Sequence, residues 1–149
     1  ADNSGPIYSP DVYHELVLPR VKELTDYAHS LGLYYLYRTD GMTLPLAEDL
    51  YVDSGIDVLG EIDYQAGMRL GEIRRRAPAL CLWGNVDCGR VLSNGTPEDV
   101  REHSKRCIDE AYNLGGHILG SSNSVIHTVP AANYMAMLET ARSYGVYVS

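Results

Sequence analysis

Apolar positions along the chain alternate between two spacings. From residue 10 to residue 31 they follow the three-to-four spacing of a helix, with Tyr13, Leu16, Val17, Val21, Leu24, Ala28 and Leu31 on one stripe. Ser9 reads as an N-cap, Pro10 as an N1 proline, Asp11 as a first-turn acid and Gly32 as a stop, so the pattern predicts a helix over 10–31. The next run, "LYYLY", is short and continuously apolar, which predicts a strand over 33–38; "PLAEDLYVDSG" after it predicts a helix ending near Gly55. The pairing then repeats. "IDVLGEI" predicts a strand over 56–61, and "AGMRLGEIRRR" a short helix carrying Met68, Leu70 and Ile73. "ALCLWGNVD" predicts a strand over 79–84, followed by a helix capped by Thr96, opened by Pro97 and striped with Val100, Cys107, Ile108 and Ala111 up to Gly115. "HILGSS" predicts a strand over 117–120, and Pro130 opens a last helix through Tyr134, Met137, Leu138 and Ala141 to Gly145.

Strict alternation of strand and helix implies a parallel sheet with right-handed crossovers. Four strand–helix units begin at Leu33, Ile56, Ala79 and His117, behind one leading helix. Eight such units over roughly 250 residues close a barrel. The predicted fold class is therefore α/β, half of a TIM-type (β/α)8 barrel, with residues 1–149 forming a single domain.

Charge narrows the partners. Twenty acidic residues against twelve basic ones leave a net charge of -8, which repels both phosphate backbones and anionic lipid heads, so neither nucleic acid nor membrane is expected as a partner. The amino terminus lacks the basic and apolar regions of a signal peptide, and no apolar run nears the roughly 20 residues of a membrane helix, which predicts a cytoplasmic protein. Cys81, Cys88 and Cys107 match no metal or redox spacing and read as free thiols.

In barrels and open α/β sheets ligands bind beyond the carboxyl ends of the strands, so the informative residues come just after each strand. Those loops hold Asp2 and Asn3, Arg38 and Asp40, Glu61 and Asp63, Asn85, Asp87 and Arg90, and the segment from Ser121 to His127. Each alone has a plainer reading as a solvated loop start or helix cap; together they would converge on one face. Arg38 and Asp40 point the same way along a strand: inward they share a pocket, outward they form a weak surface pair. Asp40 and Asp87 are the candidate acid–base or substrate-orienting groups. Asn3, Arg38, Asp63, Asn85, Ser122 and Asn123 are the candidate ligand-binding groups, with Arg38 as an anion clamp. His103 and Cys107, one helical turn apart, could ligate a metal, but Cys107 lies on the apolar stripe and core packing explains it better. "IRRRAP" ends a helix and reads as complementing its C-terminal dipole on the stability face. "GTPEDV" lacks the Lys and spaced glycines of a phosphate loop.

Several blocks of the sequence resemble, in order, the uroporphyrinogen decarboxylase superfamily, which includes cobalamin-dependent methyltransferases that move methyl groups between methanol, methylamines or thiols and corrinoid proteins. They are "SPDVYHELVLPRVKEL", the tip ending at Gly41, "GIDVLGEIDYQAGM", "LWGNVD" with "GTPEDV", and "GGHIL" with "VPAANYMAM". The resemblance implies a TIM-type barrel of which this chain matches the carboxyl-terminal half, and it brings a corrinoid protein in as a candidate partner. It implies also that site residues from the early strands are not in this sequence. The zinc-dependent branch carries His-x-Cys-Gly where this chain has Arg38-Thr39-Asp40-Gly41, and a further Cys where it has Ser122; a guanidinium cannot ligate zinc, so no zinc is expected there. The decarboxylase branch has a histidine at the Ser122 position, and the acidic strand tips suit a porphyrinogen with eight carboxylates poorly.

Two functional readings are consistent with these residues. One is a uroporphyrinogen decarboxylase-like catalyst, part of a corrinoid-linked methyltransferase or a divergent tetrapyrrole-related lyase, acting on a small-molecule ligand. The other is a catalytically silent half-barrel that binds a ligand or assembles with another half. In either, the concave apolar face of half a barrel predicts a homo-oligomer or a missing amino-terminal half.

Overall fold

A computed structural model describes residues 1–111 and 116–146. The leading helix forms over the predicted residues, in three consecutive pieces: α1 (Pro10–Val12), a π-helical turn (Tyr13–Val17) and α2 (Leu18–Ser30). Ser9 is the cap, its Oγ accepting from the Val12 N–H at 3.3 Å. The wide turn has a local cause. Pro19 has no N–H and its ring would crowd the Glu15 carbonyl, and the Leu18 N–H closes on Tyr13 five residues back. One extra residue in a turn rotates the remainder of the helix by about 100°. The buried stripe accordingly runs through Tyr13, Leu18, Val21 and Thr25, while Leu16, Leu24 and Leu31 of the predicted stripe stay exposed.

Strands β1 (Leu36–Arg38), β2 (Val58–Gly60), β3 (Cys81–Trp83) and β4 (His117–Ile118) form one parallel sheet in the order β1-β2-β3-β4, the sequential order a barrel half requires. Each is shorter than predicted: β1, β2 and β3 start later than their apolar runs, and β2, β3 and β4 stop earlier. Helical segments follow every strand. After β1 come a 3₁₀ turn (Leu44–Leu46) and a π turn (Glu48–Asp53) in place of the predicted regular helix. The Ser54 N–H reaches back five residues to the Asp49 carbonyl at 2.8 Å, and Leu46, Leu50 and Tyr51 all turn inward. After β2 comes α3 (Leu70–Arg76); after β3 a π turn (Cys88–Leu92) and then α4 (Pro97–Ala111); after β4, α5 (Ala131–Tyr144). The predicted stop of the α4 helix at Gly115 lies outside the described residues.

Pairing registers decide which side chains reach the core. Tyr37, Leu59, Leu82 and His117 make one row across the sheet, facing the helices, with Leu59 and Leu82 fully buried beside Leu70, Ile73, Leu92 and Val100. Arg38, Gly60, Trp83 and Ile118 make the next row, on the concave side. There Leu36 and Ile118 remain exposed, as an open half-barrel must leave them.

The "IRRRAP" run departs from its predicted role. Arg74 turns inward and, among the described residues, donates to four carbonyls: Ala111 at 3.2 Å, Pro78 at 2.9 Å, Leu80 at 2.6 Å and Gly116 at 2.7 Å. It ties the end of α3, the start of β3, the end of α4 and the start of β4 at the amino-terminal rim of the sheet. His103 and Cys107 are core residues, and burial pushes the Cys107 thiol up to about 12.

Candidate functional site at the carboxyl-terminal rim

Strand β1 ends at Arg38, and the chain turns sharply at Gly41, whose φ of 79° favours glycine. A Cβ there would lie 2.3 Å from the Asp2 carbonyl oxygen, which also accepts from the Met42 N–H at 2.7 Å. The amino-terminal turn Asp2–Gly5 is thus clamped against the β1 tip, with Asn3 exposed in it. Gly41→Ala is expected to destabilise the protein by more than about 1 kcal/mol. Thermal melting with limited proteolysis near residue 5 checks this: an unchanged melt would mean the turn yields freely.

Arg38 points inward and forms an ion pair with Glu61 Oε1, not with Asp40. Glu61 follows Gly60 at the tip of β2 and adopts φ 57°, a left-handed conformation that costs a non-glycine residue about 1–2 kcal/mol. Asp40 reaches across the mouth instead. Both its carboxylate oxygens accept from Asn123 Nδ2, at 3.0 and 2.9 Å, joining the tips of the first and fourth strands. Ser121 Oγ donates to the Asn123 carbonyl and the Ser124 N–H to Asn123 Oδ1, so the amide is held in place. A cavity of about 310 Å3 lies beside this bridge, lined by Arg38, Glu61, Trp83, Ser121, Val125 and Tyr134 among others.

The remaining predicted residues lie beneath the mouth or to its side. Asp87 is buried, its Oδ1 accepting from Gln65 Nε2 at 2.9 Å and from the Gly89 and Arg90 N–H groups at 3.0 Å each. That caps the Cys88–Leu92 turn and sets Asp87 beneath the mouth with Oδ1 engaged on three donors. Asn85, also buried, donates to the Met68 carbonyl at 3.2 Å. Ser122 accepts from the Cys88 N–H at 3.1 Å. Asp63 caps its own turn through the Gln65 N–H at 2.8 Å. Of the eight predicted residues, Arg38, Asp40 and Asn123 meet at the rim. Glu61 and Trp83 belong there too; Glu61 is visible in the sequence as a polar strand tip, whereas nothing in the spacing marks Trp83.

The positions at which the family resemblance implies metal ligands hold other chemistry in this chain. Arg38 is a cation already paired, both Asp40 oxygens take the Asn123 amide, and the Ser122 hydroxyl is buried on Cys88. Among the described residues no three His, Cys, Asp or Glu side chains converge. Burial pushes the Cys88 thiol up, with the Asp87 charge adding to it, so it stays protonated at neutral pH.

A parallel half-barrel with a polar rim at the strands' carboxyl ends defines a TIM-barrel-type α/β protein. The chain belongs to the uroporphyrinogen decarboxylase (URO-D) family, whose sequence pattern matches residues 1–144. It is 39% identical over 137 residues to the methylcobamide:CoM methyltransferase MtbA of Methanosarcina acetivorans, covering 90% of this chain and 37% of that protein. It is 27% identical over 139 residues to the uroporphyrinogen decarboxylase of Pelobacter propionicus, covering 93% and 39%. The fold matches that of a methyltransferase from Methanosarcina mazei with a TM-score of 0.79 at 17% identity, over 97% of this chain and 41% of the other. The chain thus spans about two fifths of the length of these relatives. No helix among the described residues is long and apolar enough to cross a membrane.

Proposed function

We propose that this chain supplies the carboxyl-terminal half of a corrinoid-linked methyltransferase site, with a corrinoid protein as partner. The observation that carries the reading is the similarity over nearly the whole chain, 39% to a methyltransferase against 27% to a decarboxylase, with 35% to a second decarboxylase reached over only 60% of the chain. Electrostatics agrees. The rim holds Asp40 and Glu61 against one arginine that Glu61 already neutralises, a poor seat for a polycarboxylate tetrapyrrole. Asp40, exposed and steadied by Asn123, is placed to take the proton that an acceptor such as a thiol loses as its sulfur receives the methyl group. Arg38 and Asn123 orient the acceptor. Zinc has no part in this reading, because the donor set does not fit it. The exposed concave row is the surface that the opposite half of a barrel would cover, whether a second copy or an amino-terminal half.

The test is spectrophotometric: methylcobalamin and coenzyme M are mixed with the purified chain and loss of the methylated corrinoid is followed, with uroporphyrinogen decarboxylation assayed in parallel. Methyl loss is expected, unaffected by a chelator and lowered roughly 100-fold by Asp40→Asn. Decarboxylation without methyl transfer would overturn the reading. Neither reaction would leave the silent binding or assembly module in its place.

A further inference from the structure

We infer that Trp83 is the floor of the ligand site and that, together with Arg38, it selects a small carboxylate bearing a flat apolar body. The inference rests on the concave rim being a ligand site but not on methyl transfer. The indole lies across the sheet between Gly60 of β2 and Gly120, two residues past the end of β4. A Cβ on Gly60 would stand 2.9 Å from its Cε3, and one on Gly120 would stand 2.6 Å from its Nε1 and 3.1 Å from its Cδ1. Any side chain at either position would push the ring off the sheet. One face of the indole is therefore backed by the sheet and the other is turned to the 310 Å3 cavity.

Two donor-only groups border that face, the Arg38 guanidinium above the ring and the Trp83 Nε1–H in the ring plane at its edge. The Arg38 guanidinium carbon is 5.5 Å from the ring centroid, on the Gly60 side, where its Cγ also lies 3.3 Å from the Gly60 Cβ position. Only one of its five N–H donors is committed to Glu61, and its side chain is half exposed. On the Gly120 side, Trp83 Nε1 donates to no group among the described residues. Neither group can accept a hydrogen bond, so acceptor oxygens on a ligand suit both, and a single carboxylate matches the planar fork of the guanidinium. Between the two donors the indole offers an apolar surface on which a flat body stacks. Glu61 limits the charge the site tolerates: it holds Arg38 over the ring while opposing a second anion.

Trp83 is the single tryptophan of the sequence, so its emission reports on this site alone. Titration of the 149-residue chain with benzoate should change that emission along a saturable curve, while benzylammonium, equally flat but cationic, should not. Arg38→Met should weaken benzoate roughly tenfold or more. Glu61→Gln, which keeps an acceptor for Arg38 and removes the opposing charge, should tighten it. Binding of benzylammonium in place of benzoate would show that Glu61 sets the ligand's charge, and would overturn the inference. Silence towards both would make Trp83 a structural residue and would overturn it equally. A benzoate response in a chain that does not turn over methylcobalamin would sink only the methyl-transfer reading; turnover without a benzoate response would sink only this one.

Discussion

Arg74→Ala is expected to lower the unfolding free energy by about 4 kcal/mol, a large share of a domain's stability. The wild-type guanidinium donates to the carbonyls of Pro78, Leu80, Ala111 and Gly116, all gathered where α3, β3, α4 and β4 approach one another. Gly116 keeps a bond from the Leu82 N–H at 3.3 Å, but the others lose the donor that satisfies them. Leu80 and Ala111 are the buried acceptors among these, and an unpaired buried carbonyl costs about 1–3 kcal/mol, so stranding the two gives the predicted size. Lysine should recover less than half, since one ammonium cannot reproduce the fork that spans four acceptors. Urea unfolding at constant m-value measures both variants. A loss under about 1 kcal/mol for alanine would mean that water re-satisfies the rim.

A second large effect concerns acid. His103 is buried in α4, and burial, then the nearby Arg106 charge, lowers its pKa to about 4, against the opposing pull of Asp87. Arg69 adds to the lowering. Arg106 Nη2 donates to Nδ1 at 2.7 Å, so the ring is neutral with its proton on Nε2. Nε2 is turned towards the Asn85 backbone without reaching hydrogen-bond geometry. The unfolded imidazole takes up a proton near pH 6.5 and the folded one only near 4. Stability from keeping His103 neutral is therefore complete above pH 6.5 and falls as the pH drops towards 4, by about 3 kcal/mol. His117, lowered chiefly by burial, loses stability in the same direction, so the His103 share is read as a difference. His103→Gln keeps an acceptor for Arg106, cannot be protonated, and should flatten the slope of stability against pH between 6.5 and 4. An NMR titration of the wild type gives an independent reading: an imidazole that titrates near 6.5 at this position would refute the assignment.

At the rim, chemical type was legible from sequence and pairing was not. Arg38 and Asp40 stand out as charges where an apolar run stops, because alternation along a strand puts them on one side. Their partners, Glu61 and Asn123, come from strands 23 and 83 residues away, and only the curvature of the sheet decides that each charge finds a different one. Asp87 shows the converse. The same carboxylate at a strand tip can act at the surface or cap the following turn, and the Cys88–Leu92 turn folded back over it chooses the cap.

By itself the sequence determined the order of strands and helices, the parallel sheet and the position of the rim, since these depend on period, caps and alternation, which are local. Tertiary structure alone decided the rest. Whether Leu18 or Leu16 enters the core depends on one wide turn before Pro19, a helical phase that no local periodicity records. Whether Arg74 faces water or four carbonyls depends on where α4 ends and β4 begins, in segments tens of residues away. Trp83 lies flat because Gly60 in β2 and Gly120, two residues past β4, lack the side chains that would lift it, a relation that exists only once β2, β3 and β4 are side by side.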